Sequence, residues 1–507
     1  NSIQQKPIVG NGILEVKKTI SKILVTDTVL SAGGNIAIIA KALLDIELNG
    51  FLFDSPMEIT AAVADILANT IINGTSQLTA GGDILLKAIS DFKSASLAKS
   101  EGQTGSVAFA VSVIESGAHA LLQGDAFADA AGNITIIAQN NTKADTLADG
   151  FIESDESGGA ATVAVSVVRS STRAGIYENA SIKNSSSLSI NAEGRNDINI
   201  IAQSAVQGAA DSIKDIIKGT DNDGNDIIDQ SLQEEICALI DKMTEALDDD
   251  ESSQSGSSVQ GAGAFAYGNL INNNEAGINT TGSIKTENRL DISGKTLNKV
   301  SLITSGMTND GTVGIGAAVG VFTGIINNKA QIAPGVKVEA TDINISALSE
   351  DFTAQYPDEA DAINQYKVLA YAGQSADNVG LGGALAFNLL ISNTQALIGE
   401  NANILLTDGN ISIISTNNNE IKTVANGAQG DDDEGMVADL IGTITQSDSS
   451  DNSTPAVGIG GAAGITIAVV DTHSYIGDGA VIDGLSDLDL YALSETRLET
   501  EAESGAE

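Results

Sequence analysis

Residues 457–493 contain the pattern that the rest of the chain repeats, and they read VGIGGAAGITIAVVDTHSYIGDGAVIDGLSDLDLYAL. A run of small residues (457–463) leads into alternating aliphatic residues (465–469). A turn-rich patch follows at 474–480, and a last alternating run covers 488–492. Alternation with a period of two is typical of a β-strand, so this stretch predicts strands separated by a turn.

The same order of features recurs upstream at a regular spacing. Residues 379–415 begin VGLGGALAFNLLI, and residues 313–347 begin VGIGAAVGVF. One position of the turn patch marks every copy: Thr70, Ala120, Ala174, Ala276, Ala330, Ala396 and Ser474. An aliphatic residue follows each marker after 13–15 residues: Ile84, Ile134, Leu188, Leu290, Ile343, Ile411 and Leu488. The markers are 50, 54, 102, 54, 66 and 78 residues apart, which indicates a tandem repeat with three insertions.

The repeat predicts an all-β fold, a right-handed parallel β-helix with a small helical insertion. Three strand-like runs in each copy suggest that one copy forms three coils of about 18 residues each. The whole chain would then form some twenty coils, a rod of about 100 Å. In runs such as 107–113 we expect the large apolar residues to face inward and the small ones outward. Aliphatic ladders would fill the interior. The asparagines at 272–274 and 327–328 are expected at turns, either as amide ladders or in left-handed backbone conformations. The alternative is a set of antiparallel β-sandwich domains, against which the absence of Trp and the low count of five Pro argue.

The repeat register predicts the domain boundaries. We expect an irregular start with a partial repeat at 1–56, repeats one to three at 57–207, a helical acidic insertion at 208–258, and repeats four to seven at 259–507, with insertions near 351–376 and 428–455. Spacing of apolar residues also predicts helical character for Met57–Asn69 and a short helix from Asp358 to Leu369.

Composition restricts the partners and the cellular location. The 507 residues carry a net charge of -42, which disfavours nucleic acid and anionic membranes and attracts cations. No apolar run is long enough for a membrane-spanning helix, so we expect no membrane insertion in this segment. The single cysteine, Cys237, forms no disulfide framework, and we interpret it as an apolar residue on a helix face. Because the chain starts at Asn1 without a signal-peptide pattern, we expect it to be part of a longer protein.

The repeat resembles those of large secreted bacterial adhesins of the filamentous-haemagglutinin-like and autotransporter-passenger type, including leukotoxin-like filamentous adhesins. The residues that carry the resemblance are 474–480 with 488–492, and 396–402 with 411–414. The resemblance covers about residues 57–507. It implies a β-helical stalk, export to the bacterial cell surface, and a structural or adhesive role. The implied partners are a host or neighbouring-cell surface receptor, or further copies in a fibre.

One local motif suggests a metal site. Asp221, Asp223, Asn225, Asp226 and Asp229 lie around a glycine between two helical segments, and closely spaced oxygen ligands at such a turn are typical of calcium loops. The spacing departs from an EF-hand, because Asp226 and Leu232 stand where Gly and Glu are required. The alternative is a solvated turn that caps the second helix. Calcium is therefore a candidate ligand rather than an assigned cofactor.

The remaining charged and glycine-rich motifs favour structural interpretations. The acidic clusters at 248–251 and 431–434 are interpreted as solvated loops, and loose cation binding is the alternative. We interpret His119 and His473 as surface turn residues. The glycine-rich runs lack the lysine of a phosphate-binding loop, so we interpret them as sites of close packing. The sequence predicts a non-catalytic protein. The alternatives are a polysaccharide-active β-helix enzyme and a calcium-dependent binding module that acts through the helical insertion.

Overall fold

The computed structural model describes residues 11–51, 57–102, 105–152, 158–206, 259–349, 363–427 and 457–504. Within these ranges the chain forms strands and turns and contains no helix. The strands are β1 Asn11–Thr26, β2 Val29–Ala32, β3 Ile36–Phe51, β4 Met57–Asn73, β5 Gln77–Ala80, β6 Ile84–Gly102, β7 Gly105–Leu122, β8 Phe127–Ala130, β9 Ile134–Ile152, β10 Gly158–Glu178, β11 Ser181–Asn184, β12 Leu188–Val206, β13 Val259–Thr280, β14 Ser283–Lys285, β15 Arg289–Ile332, β16 Lys337–Ala340, β17 Asp342–Ser349, β18 Asn364–Ile398, β19 Asn403–Asn426, β20 Val457–Ile476 and β21 Val481–Glu503.

Each sequence repeat forms one complete coil, and eight coils are stacked in the described chain. What we call the first sheet contains β1, β4, β7, β10, β13, the second parts of β15 and β18, and β20. The second sheet contains β3, β6, β9, β12, the first part of β15, β17 with the first part of β18, β19 and β21. A short sheet of β2, β5, β8, β11, β14, β16 and the beginnings of β19 and β21 joins the two.

Every pairing between described strands is parallel. The predicted all-β parallel β-helix is therefore confirmed, and the antiparallel sandwich alternative is wrong. Side chains at equivalent positions of successive coils lie directly above one another, and we call each such row a column.

The predicted size of the coil is wrong. One coil takes a whole repeat, since β7 pairs with β10 so that Ser106 lies beside Ala160, 54 residues later. The glycine-rich run does not turn the chain, because residues 457–463 lie inside β20. Seven steps of about 4.8 Å between coils give a stack about 34 Å high, and a strand of 20 residues, such as β20, spans about 66 Å. A single copy is therefore a flat stack rather than a rod of about 100 Å.

The turn that leaves the first sheet has a left-handed backbone in most coils. Positive φ angles occur at Gly74, Gly124, Gly335 and Gly479, and at Asp27, Glu178 and Asn401 in the corresponding turns of other coils. Glycine and asparagine adopt this conformation with little strain. This requirement explains why the turn patch is the most regular feature of the repeat.

The core is widest near this turn, where aliphatic ladders run through the stack as predicted. One ladder contains a residue from each coil: Leu30, Leu78, Ala128, Ile182, Ile284, Val338, Ile404 and Ile482. Ile182 and Ile404 are completely buried. Burying an Ile or Leu side chain contributes about 1.5–3 kcal/mol, so the ladders are the main source of stability at this end.

At the opposite end of each coil the two long sheets meet in a narrow seam of small residues. Ala108, Ala110 and Ser112 of β7 face inward and are buried, whereas Phe109 and Val111 face outward. The expectation that large residues face inward in such runs is therefore wrong. The reason is steric, because a Cβ atom added at Gly316 would lie 2.5 Å from the carbonyl oxygen of Gly373 on the facing strand. This contact confirms that the glycine-rich runs serve close packing.

Several predicted boundaries and helices also change. Residues 11–51 form a complete coil in register with the next one, not an irregular start with a partial repeat. Met57–Asn69 belongs to strand β4, whose burial alternates with a period of two. Residues 364–376 of the insertion predicted near 351–376 are strand, so the short helix does not extend to Leu369. The helical insertion at 208–258 and the loop at 428–455 lie outside the described residues.

The asparagine ladders are confirmed, but they lie within strands and not at turns. Asn327 Nδ2 donates to Asn273 Oδ1 at 2.9 Å on the outer side, and Asn274 Nδ2 donates to Asn328 Oδ1 at 2.8 Å in the interior. Such bonds satisfy buried amides while linking successive coils.

Candidate functional site: the apolar outer face

Part of the outer side of the first sheet is uncharged in every coil. Three neighbouring columns contain Gly12, Ile59, Phe109, Val163, Phe265, Val319, Leu385 and Ala463; Leu14, Ala61, Val111, Val165, Tyr267, Val321, Phe387 and Ile465; and Val16, Val63, Val113, Val167, Asn269, Thr323, Leu389 and Ile467. We call these twenty-four positions, three columns through eight coils, the apolar face. None of them is charged, and only Asn269 and Thr323 are non-aromatic polar residues.

The side chains of the apolar face are accessible to solvent. Phe265 is 38% exposed, Val113 39% and Ile467 45%. Seven coil steps and four residue steps along the strands give an area of about 34 by 13 Å, on the order of 450 Å² between backbone atoms. In coils five to eight the apolar surface extends further, through Ile325 and Ile391. The largest apolar patch of a typical monomer is about 300–600 Å² and is often functional, so this surface is a candidate binding site.

The other long face of the solenoid is charged, which makes the apolar face distinctive. One outward column of the second sheet contains Lys93, Lys143, Asp197, Lys299, Gln365, Glu420 and Arg497. With a net charge of -42, solvated charge keeps the molecule soluble. The overall composition of the chain therefore does not explain why three columns of one face stay uncharged through all eight coils.

The column directly beside the apolar face is charged in coils one to four and aliphatic in coils five to eight: Lys18, Asp65, Glu115, Arg169, Ile271, Ile325, Ile391 and Val469. A polar column lies two columns further toward the turn. It contains Lys22, Asn69, His119, Arg173, Glu275, Lys329, Gln395 and His473. Arg173 Nε lies 3.2 Å from Glu275 Oε2, and the Arg173 guanidinium lies 3.9 Å from the centre of the Tyr177 ring. Burial and the charge of Arg173 lower the pKa of His119, which favours its neutral form. An apolar centre with a polar border is the usual arrangement of a protein-binding surface.

The residues predicted to form sites from the sequence are not brought together in the described chain. The calcium candidates Asp221, Asp223, Asn225, Asp226 and Asp229 lie outside the described residues, as do both acidic clusters and Cys237. His119 and His473 lie in strands rather than turns, in one column but five coils apart. In the described ranges no group of three or more His, Cys, Asp or Glu side chains could hold a metal ion.

The apolar face was missed because both sides of the first-sheet strand are uncharged in sequence. The signal that identifies it is the position of the small residues, which is the same in coils three to eight. Ala110, Ala164, Ala266, Gly320, Ala386 and Gly464 occupy one inward column, which begins with Ile13 and Thr60 in the first two coils. Six consecutive coils with only Ala or Gly at one position indicate a tightly packed side, so the large residues on either side of that position must face solvent.

Comparisons with family models, with curated proteins and with solved structures gave no match. In the described residues no helix is both long and apolar enough to cross a membrane. The function must therefore be argued from the geometry of this chain.

Proposed function

We propose that this chain is a non-catalytic structural and adhesive segment of a large secreted bacterial surface protein. The apolar face carries the proposal, because its area and lack of charge suit contact with another macromolecule. The extracellular bacterial location is supported by the resemblance of the repeat to adhesin repeats. The proposed partner is a receptor on a host or neighbouring cell.

The stacking of the coils makes the apolar face suitable for adhesion. Every column is supported by parallel pairing with the next coil, so the outward side chains are held on a continuous sheet rather than on loops. Rigid presentation reduces the entropy lost on binding. The aromatic residues Phe109, Phe265, Tyr267 and Phe387 lie within the face, and buried aromatic anchors contribute strongly to affinity at interfaces.

A triple variant tests the proposal. Phe265→Ser, Val319→Thr and Leu385→Thr change three vertical neighbours of one column in coils five to seven. Fluorescently labelled protein would be titrated onto cultured epithelial cells and onto bacterial cells. We expect the variant to bind at least tenfold more weakly, a loss of about 1.4 kcal/mol or more.

The matched control places equivalent changes on the other long face. Leu85→Thr, Ile137→Thr and Ile414→Thr are outward, half-buried positions of the second sheet. This control should keep the wild-type affinity, and circular dichroism should show that both variants remain folded. Equal binding by the wild type and the apolar-face variant would contradict the proposal.

A further inference from the structure

The outer side of the second sheet is buried near the narrow seam. Along β12 the outward residues from Ser189 to Asp197 are half-buried, whereas Ile201 and Gln203 are 3% and 4% exposed. The outward column of Gln203 is buried in six consecutive coils: Lys99, Asp149, Gln203, Ser305, Tyr371 and Asn426. Alternate residues of a strand point to opposite sides, so these residues face away from the core and something must cover them.

The covered surface is apolar. The neighbouring outward column contains an aliphatic residue in each of the same six coils: Leu97, Leu147, Ile201, Ile303, Leu369 and Val424. We call this column the outer strip. Ile303 and Leu369 are completely buried. Burial of an aliphatic side chain contributes about 1.5–3 kcal/mol, so the outer strip favours a stable contact with whatever covers it.

No described strand supplies this cover. Within the described ranges, the strands of the second sheet contact one another and, across the interior, the strands of the first sheet. The hydroxyl groups of Thr60 and Ser96 lie 2.9 Å apart in that interior, so the first sheet is on the inner side. Because the burial arises within a single chain, the cover belongs to a part of this chain outside the described residues.

The insertion predicted at 208–258 starts beside the outer strip. It follows the end of β12 in the fourth of eight coils, and the described chain resumes at Val259. Ala205, at that end of β12, is outward and 1% exposed. The other long segment, 428–456, follows the seventh coil. A surface that extends from the second coil to the seventh is reached most directly from the middle of the stack.

The apolar residues of the insertion match the outer strip in length. They recur at helical spacing, at positions 228, 232, 236, 239, 240, 243 and 247. A helix of about 20 residues is about 30 Å long, and five steps between six coils span about 24 Å. One amphipathic helix is therefore long enough to cross the whole strip.

Charge also matches. Three outward lysines next to the outer strip, Lys99, Lys367 and Lys422, are 4%, 5% and 4% exposed. A lysine is rarely buried without a negatively charged partner. The insertion contains fourteen acidic and three basic residues, a net charge of -11, so it can supply negative charge around them.

We propose that the insertion at 208–258 docks on the outer strip through the apolar side of its predicted helix. In this position the insertion lies on the side of the solenoid opposite the apolar face and leaves that face free for a partner. The contact uses none of the residues of the apolar face, so it does not depend on the adhesive function.

Thiol labelling of the full chain tests the contact. In a Cys237→Ser background, Ser305→Cys places a thiol beside the outer strip, and Thr135→Cys places one on the half-buried outer side of β9. Ile236→Asp with Leu239→Asp puts charge on the apolar side of the predicted helix. We expect this pair to speed labelling of Ser305→Cys at least tenfold. Labelling of Thr135→Cys should not change, which shows that the solenoid stays folded. An unchanged rate at Ser305→Cys would overturn the proposal.

The matched control changes the other long segment. Leu440→Asp with Ile441→Asp puts the same charges into residues 428–456, and Ser305→Cys should keep the rate of its Cys237→Ser background. A tenfold increase from this control alone would assign the cover to 428–456 and would also overturn the proposal.

Photo-crosslinking identifies the occupant directly. Gln203→p-benzoylphenylalanine should cross-link within the same chain, and mass spectrometry should find the linked peptide in 208–258. The control is Asn191→p-benzoylphenylalanine, an outward position of the same strand about 40 Å away, which should give at least tenfold less of that product. Cross-links from position 203 only to residues outside 208–258 would contradict the docking.

Discussion

Glu58 shows how burial in the interior changes the pKa of a single ionisable group. It lies at the inward side of β4, is 1% exposed, and its Oε2 atom has no hydrogen-bond partner. A buried carboxylate loses hydration, so the neutral acid is favoured. Burial accordingly raises the pKa of Glu58 to about 7. Asp149 is also buried, and burial raises its pKa to about 6 against the opposing charge of Lys99.

The raised pKa of Glu58 predicts that stability falls as pH rises. The folded pKa of about 7 exceeds the ordinary value of 4.5, so the folded state retains the proton where the unfolded chain has lost it. The loss begins above about pH 4.5 and is complete above about pH 7. At about 1.4 kcal/mol per pKa unit, it is on the order of 3 kcal/mol.

Urea unfolding of wild type and Glu58→Gln at pH 5 and pH 8 measures this effect. Asp149 titrates in both proteins, so the difference between them isolates Glu58. We expect the stability of Glu58→Gln relative to wild type to increase from pH 5 to pH 8. An unchanged difference would show that Glu58 is ionised and solvated in the folded protein.

At the scale of the strand, the narrow seam determines which side of the first sheet faces inward. A Cβ atom at Gly306 would lie 2.1 Å from the carbonyl oxygen of Ala317, and one at Gly316 would meet backbone on two facing strands. Backbone atoms cannot move as a flexible side chain can. At these positions the seam therefore tolerates only small inward residues, and the neighbouring Ile315 and Val319 are placed on the outer side. In the second coil the seam instead holds Glu58, beside Ala108 of the next coil.

Alanine at Gly316 is the direct test of the seam. We expect Gly316→Ala to destabilise the protein by about 2 kcal/mol or more, because overpacking next to backbone costs about 1–3 kcal/mol. Gly263→Ala is the matched control, since nothing lies within 4 Å of its added Cβ atom, and it should be neutral or slightly stabilising. Thermal unfolding of the two variants would show the contrast, and equal midpoints would argue against backbone contact across the seam.

At the scale of the whole molecule, each coil is stabilised by parallel strand pairing with its neighbouring coils and by the aliphatic ladders that it shares with them. Each coil contacts only its neighbours, as is general for solenoids. In the described chain the first and last coils therefore have one supporting neighbour, and coils two to seven have two. In β20 and β21 roughly half of the amides point away from the preceding coil, because successive residues of a parallel strand bond to opposite sides.

Hydrogen exchange should reveal this gradient. At low protein concentration, amides of β20 and β21 should exchange at least tenfold faster than those of β13, which is paired on both sides. Strand β13 serves as the internal reference, and equal protection of β13 and β20 would contradict the gradient.

The sequence alone determined the strand character, the repeat register and the ladders. The markers from Thr70 to Ser474 stack in one column near the ends of the first-sheet strands. The aliphatic residues that follow them stack in another column. These features depend on residues that are close together in the chain. A left-handed turn needs particular residues, and an alternating pattern of apolar residues indicates an extended backbone. The interior of the second sheet was more predictable, since its opposite side carries charged residues such as Lys93, Lys143 and Lys299.

Only the tertiary structure decided the size of the coil and the side of the first sheet that faces solvent. A period of two is the same whichever side is inside, and neither side of Val107–Val113 is charged. The choice depends on how closely the facing strand approaches, which is set by residues far away in the chain, such as Gly373 opposite Gly316. The apolar face is the consequence of that approach, because a seam that excludes large side chains leaves them on the surface.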